Sequence, residues 1–153
     1  IMGQVGEKNS MLDLADAIHS NHKAARVMGV FHKQFDLFLT STTAQPPARI
    51  GDLYPHGKDE TALKILKFLP IKSLLNKALD SLADEALAAT PNTQLFNQTG
   101  QPAISLPLPW HKDGLPIGVQ FAAEFGHEWT LYSIASELER ASDWSARKPD
   151  LLQ

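Results

Sequence analysis

Two short apolar runs face each other across a turn in the last third of the chain, and that pairing constrains the fold more than any other feature. Ala103-Ile104-Ser105-Leu106-Pro107-Leu108 and Ile117-Gly118-Val119-Gln120-Phe121-Ala122 each have the length of a strand. Between them lies Trp110-His111-Lys112-Asp113-Gly114-Leu115-Pro116, and its Asp-Gly pair supplies the residues a tight hairpin turn favours. The pattern predicts a β-hairpin, with Pro107 and Pro109, which lack a backbone donor, marking an edge or a strand end. Gly118 predicts close approach by another backbone or a large side chain. Just upstream, Asn97-Gln98-Thr99-Gly100-Gln101-Pro102 reads as turn chemistry, with Gly100 free to take the positive φ that leads into the strand.

Helical patterns surround the hairpin in sequence. Over residues 10–35, Met11, Leu14, Ala15, Ile18, Ala25, Met28 and Phe35 recur at helical spacing and predict one apolar face. Asn9 or Ser10 suits the cap, since each offers a side-chain oxygen to the first turn. Gly29 costs that helix about 1 kcal/mol relative to alanine, which predicts a break or an end near it. Phe35 to Thr42 then reads as a short buried strand, and its apolar run suits a parallel strand covered on both faces. Pro46, Pro47, Gly51, Pro55 and Gly57 give the next segment loop composition.

A helical pattern resumes at Asp59, is interrupted by Pro70 and continues to about Ala89, with Ile71, Leu74, Leu75, Ala78, Leu79, Leu82 and Ala86 as its stripe. A last helix from Glu128 to about Ala141 buries Leu131, Ile134, Ala135 and Leu138. The order helix–strand–helices–β-hairpin–helix predicts an α/β layered fold.

Composition narrows the chemistry. The 153 residues are 43% hydrophobic and carry 14 basic against 17 acidic side chains, a net charge of -3. That length and apolar content suit one domain or a large piece of one, and the charge gives no basic face for nucleic acid. With no cysteine, thiol nucleophiles, disulfides and Cys-ligated metals are excluded. No apolar run approaches the roughly 18 residues that span a bilayer, so a cytosolic location without membrane contact is expected. Opening on Ile1 predicts that the sequence begins inside a longer polypeptide.

The residues taken alone give no complete active site. His19 and His22 lie three apart on one helix but lack an evident third ligand, and exposed helix histidines explain them better. His111 and His127 fall in turns and read as surface residues. No G-x-S-x-G elbow and no phosphate-binding glycine loop occurs, and Ser105, inside a strand, is expected to bond to backbone. Lys64, Lys67, Lys72 and Lys77 read as a solvated face.

As a pattern the last third says more. Asn97-Gln98-Thr99-Gly100-Gln101-Pro102-Ala103-Ile104-Ser105-Leu106-Pro107 followed by Asp113-Gly114-Leu115-Pro116-Ile117-Gly118-Val119-Gln120-Phe121 closely resembles the C-terminal region of the amidase signature family. The similarity runs on through Gly126-His127-Glu128, Leu131, Leu138-Glu139-Arg140-Ala141 and Trp144, and back to Phe35-Asp36-Leu37-Phe38-Leu39-Thr40-Ser41-Thr42. It covers about residues 11 to 149. Two positions depart from it: Ser41 stands where the family usually has proline, and His127 where aspartate is more common. The combination Leu95-Phe96-Asn97 through Ala103 with Trp110 most resembles the members called 6-aminohexanoate-cyclic-dimer hydrolases.

The resemblance implies the C-terminal part of an amidase-type α/β/α sandwich with a mixed sheet, residues 1–153 forming one incomplete domain. It implies a serine amidohydrolase using a Ser–cis-Ser–Lys triad, with no metal or organic cofactor and a small-molecule amide as substrate. That triad belongs to a glycine- and serine-rich segment upstream of the matched region, and this sequence contains no Ser-Ser dipeptide. No catalytic residue is therefore assigned, and the chain alone is expected to be inactive and to self-associate through its uncovered apolar faces.

In the family, the loop after the Thr40–Thr42 strand and the loop before the hairpin approach the substrate pocket. The resemblance thus implies Thr42, Thr43, Phe96, Asn97 and Thr99 as pocket-wall residues, with backbone bonding the competing role for Asn97 and Thr99. Two rivals remain at this level: a non-catalytic binding or scaffold module of the same shape, and part of a tRNA-dependent amidotransferase subunit.

Overall fold

The structure, a computed structural model, describes residues 6–7, 9–51, 61, 64, 80, 83–84, 87–110, 114–142 and 144–146. The chain forms two compact units, residues 1–20 with 45–89 and residues 21–44 with 90–153. The predicted stripe from Ile71 to Ala86, with Pro70, Lys67, Lys72 and Lys77, lies outside the described residues, as does His111.

Helix α1 spans Met11–Phe31. Of the two candidate caps, Ser10 is the one used. Its Oγ accepts the Asp13 N–H at 3.2 Å, while Asp13 Oδ2 accepts from the Ser10 N–H at 2.7 Å and hydroxyl at 2.8 Å. This reciprocal pair satisfies orphan donors of the first turn. The helix runs through Gly29 and ends two residues later. Its predicted apolar face is only partly realised: Met28 is buried and Ala25 half-buried, whereas Met11, Leu14 and Ile18 are exposed, as is Phe35 beyond the helix. Periodicity identifies a shared face, and burial then depends on what packs there.

The described residues then form three strands, β1 (Leu37–Ser41), β2 (Ala103–Trp110) and β3 (Pro116–Ala123), in the order β1-β3-β2 with both pairings antiparallel. The two hairpin strands pair as predicted and are longer than expected, while His111, Lys112 and Asp113 of the expected turn lie outside the described residues. Pro107 sits opposite Gly118, just before a register shift that ends at Trp110, on a strand at the edge of the described sheet. Strand β1 corrects the expectation of a buried parallel strand. It is antiparallel to β3, and none of its residues is fully buried; Leu39 is 62% exposed. An apolar run records the tendency to pair and pack but carries no information about the direction of its partner.

A short helix, α2 (Thr93–Thr99), occupies the segment expected to be turn up to Thr99. Its buried Phe96 anchors it, so packing overrides the weak helical propensity of Asn and Thr. The helix stops where glycine was expected to matter: Gly100 has φ 80° and donates its N–H to Phe96 O at 2.9 Å. Helix α3 spans Glu128–Ser142, and a 3-10 turn follows at Trp144–Ala146.

The pleat divides these parts between two faces. Ile104, Leu106, Val119, Phe121, Ala123 and Leu37 pack with Leu131, Ile134, Ala135 and Leu138 of α3, the face predicted for it. On the opposite face Ala122 and Phe38 meet Met28, Phe31, Leu95 and Phe96, with the Phe38 ring 5.3 Å from Phe31 and 5.7 Å from Phe96. Helices on both sides of a sheet make this unit an α/β/α layer, in line with the fold class the sequence implies.

Leu131 lies at the centre of the α3 face, 4% exposed. Leu131→Ala is expected to destabilise the chain by about 2–5 kcal/mol, the range for deleting a buried leucine side chain. Leu39→Ala should stay within about 0.5 kcal/mol, as for an exposed position. Urea unfolding of the two variants beside the parent chain measures both.

Candidate functional site

The polar residues of the second unit gather where β1 ends. One backbone bond beyond the strand, Thr42 N–H to Gly118 O at 2.9 Å, fixes which residues of β1 bond to β3. In an antiparallel pair bonded positions alternate, so the backbone groups of Thr40 and Thr42 face β3, whereas those of Leu39 and Ser41 face the other edge, which pairs with no strand among the described residues.

Side chains meet that edge at Ser41. Asn92 Nδ2 donates to Ser41 O at 3.1 Å and lies 3.3 Å from Ser41 Oγ. The Thr40 hydroxyl donates to the same carbonyl at 3.1 Å. Gln120, 5% exposed, donates from Nε2 to Asn92 O at 3.2 Å and to Thr40 Oγ1 at 3.3 Å. Asn92 precedes the first turn of α2, where an asparagine oxygen ordinarily caps the helix and contributes about 1 kcal/mol. Here it makes no side-chain cap, and its φ and ψ are -88° and -23°.

A second contact lies across β3. Ser105 pairs with Gln120 in the register, and its Oγ is 2.6 Å from Thr42 Oγ1. The two hydroxyls close over Gly118. A Cβ there would stand 2.8 Å from both oxygens and 2.9 Å from Thr42 Cβ. The close approach predicted for Gly118 is therefore real, but two small hydroxyl side chains make it rather than a backbone or a large group. Ser105 likewise bonds to a side chain, not to the backbone as expected.

The five residues proposed from sequence separate in space. Thr42 is half-buried within this band, and Thr43 is exposed just beyond it. Asn97 is exposed on α2. Phe96 and Thr99 share the inner face of that helix, because residues three apart on a helix lie together. Phe96 is 4% exposed within the core; Thr99 is 7% exposed, its hydroxyl 2.9 Å from Leu95 O and 2.7 Å from Gln101 Oε1. Sequence reasoning missed Asn92, Gln120 and Thr40. A glutamine in the middle of an apolar strand was the available signal, since a buried amide requires partners.

Thr40, Ser41, Thr42, Asn92, Ser105 and Gln120 are all uncharged. Such a band can orient a polar ligand or a loop by hydrogen bonds, but a serine without an adjacent base is a weak nucleophile. His19 and His22 are exposed on α1, and among the described residues no group of three or more His, Asp or Glu could hold a metal ion. Among the same residues no helix is long and apolar enough to cross a membrane.

Comparison with known proteins adds what the band alone lacks. The family model described as Amidase matches residues 4–132. A 6-aminohexanoate-cyclic-dimer hydrolase of Pseudomonas sp. (strain NK87) is 54% identical over 130 residues, covering 84% of this chain and 23% of that protein. A relative from Mycobacterium leprae (strain TN), described only as an amidase, is 34% identical over 89% of this chain and 25% of its own length. The solved structure of a 6-aminohexanoate cyclic dimer hydrolase superposes with a TM-score of 0.69 at 31% identity, over 96% of this chain and 28% of that one. The chain thus spans about a quarter of the length of the relatives it matches.

The crowding at Gly118 has a direct consequence. Gly118→Ala is expected to destabilise by about 1–3 kcal/mol, as overpacking does. Adding Ser105→Ala should not restore the loss, because Thr42 Cβ still stands 2.9 Å from the new methyl group. Thermal unfolding of the single and double variants checks this.

Proposed function

This chain belongs to the amidase family, and from that membership we propose that it is the C-terminal portion of an amidohydrolase, one incomplete domain whose bond-breaking residues lie on the remaining polypeptide. The observation that carries the reading is the match of the amidase model to residues 4–132 in a chain that spans about a quarter of its relatives. Two features support it. The sequence has no Ser-Ser dipeptide to supply the family's triad, and the polar band at the end of β1 contains no charged group that could activate a serine.

In this reading the chain contributes sheet, helices and one side of the substrate pocket. Thr42 and Thr43 at the β1 exit, with Asn97 on α2, form the wall, and Phe96 and Thr99 hold that wall from beneath. The substrate is a small amide in the cytosol. The 54% identity to a 6-aminohexanoate-cyclic-dimer hydrolase favours cyclic amides over linear ones.

The chain on its own self-associates in this proposal. Val27, Val30, Phe35 and Leu39 are all exposed, and uncovered apolar side chains favour association, as does an unpaired strand edge.

Side-by-side assays of this chain and of the amidase-length polypeptide, over a panel of cyclic and linear amides, test the proposal. The longer protein should turn over cyclic amides and label with a fluorophosphonate probe, while the chain alone does neither. Covalent serine labelling of the chain with matching turnover would overturn it. Light scattering of the chain should give a mass above the monomer; a clean monomer at high concentration removes the self-association.

A further inference from the structure

One side chain in the band does something its position does not call for. Asn92 stands where a residue caps a helix, yet it makes no cap and reaches across to β1 instead, with Nδ2 3.1 Å from Ser41 O and 3.3 Å from Ser41 Oγ. Its own backbone oxygen is held by the buried Gln120, which also donates to Thr40. Ser41 O points to the edge of β1 away from β3, so its donors are side chains: the Thr40 hydroxyl of the same strand and, from outside the strand, the Asn92 amide. The amide of Asn92 therefore ties the last residue of β1 to the residue that begins α2. The chain leaves the sheet immediately afterwards: Thr42 makes the final ladder bond to Gly118, and Thr43 is exposed.

We propose that Asn92 is a positioning residue: its carboxamide sets where the segment leaving β1 stands, and through Thr42 and Thr43 it determines which amides the pocket wall admits. This rests on the functional reading above. The chemistry separates it from a helix-capping role. Aspartate and serine cap a helix start about as well as asparagine, but Asp lacks the donor hydrogens that Ser41 O accepts, and Ser is too short to span to β1. A capping residue would tolerate both changes; a positioning strap tolerates neither.

Asn92→Asp and Asn92→Ser in the amidase-length polypeptide provide the test, with two readouts. Hydrogen exchange at the Thr42 amide, which donates to Gly118 O, should accelerate about tenfold in both variants, with α3 unchanged. The ratio of kcat/KM between a cyclic and a short linear amide should shift by about fivefold, through KM with kcat held within about twofold.

Unchanged exchange at Thr42 would overturn the strap whatever the activity. Faster exchange with an unaltered substrate ratio, or a uniform loss on every amide that follows a lower Tm, would overturn its role in selection. A parent polypeptide that hydrolyses no amide would sink the functional reading instead, and the exchange comparison would still decide whether the strap exists.

Discussion

Strand β3 carries backbone ladders on both edges, so its alternate residues must serve helices on two opposite faces at once. Phe121 and Ala123 complete the layer under α3, while Ala122, fully buried, leaves room for Met28 and Phe96 on the other side. The alanines are small because a helix approaches closely from each face, and the single large ring goes to the side where α3 offers Leu131 and its neighbours. Toward Gly118 the same strand changes its use. Gln120 and Gly118 continue the Ala122 face, but in place of apolar bulk Gln120 carries hydrogen bonds and Gly118 makes room for the Thr42 and Ser105 hydroxyls. One strand thus runs from packed core to polar band within its own length, and the position of the band follows from the register that the core enforces.

That gradient explains what could be read from sequence. The hairpin was legible from two strand-length apolar runs on either side of an Asp-Gly pair, the α3 stripe from its helical period, and the C-terminal pattern around Gly100 and Gly118 identified the family. At the end of β1 the resemblance pointed to Thr42 and Thr43, but the band around them was not legible, since Thr40, Ser41, Asn92, Ser105 and Gln120 come from four separate segments that only the folded sheet brings together. Helix α2 was hidden for a different reason. Asn97 and Thr99 carry turn composition, and what makes the segment helical is the burial of Phe96, a tertiary fact. Phe96 and Thr99 then fall on the inner face by helical geometry, leaving Asn97 outward. A loop would have imposed no such division among the proposed wall residues.

The uncharged character of the band also limits its chemistry. Hydrolysing an amide requires an activated nucleophile and donors aimed at the developing oxyanion. Hydroxyls and carboxamides that bond to one another can fix geometry, and geometry is worth much in catalysis because small misplacements of bound groups slow the reaction. The band can hold position, and nothing in it supplies the activated nucleophile that such hydrolysis requires.

The open edge of β1 links the polar band to the wider molecule. Leu39 and Ser41 both direct backbone groups outward, an arrangement that invites another strand unless something blocks it. At Ser41 the Asn92 amide already occupies the carbonyl, so pairing there would require breaking a bond that Gln120 helps hold in place. Near Leu39 the side chain is exposed and apolar. The two ends of one short strand therefore differ in kind: the end at Ser41 is closed by the chain's own side chains, and the end toward Leu39 and Phe35 offers apolar surface for burial. Any strand or helix that docks along β1 would therefore bury more apolar surface at the Leu39 end than at the Ser41 end.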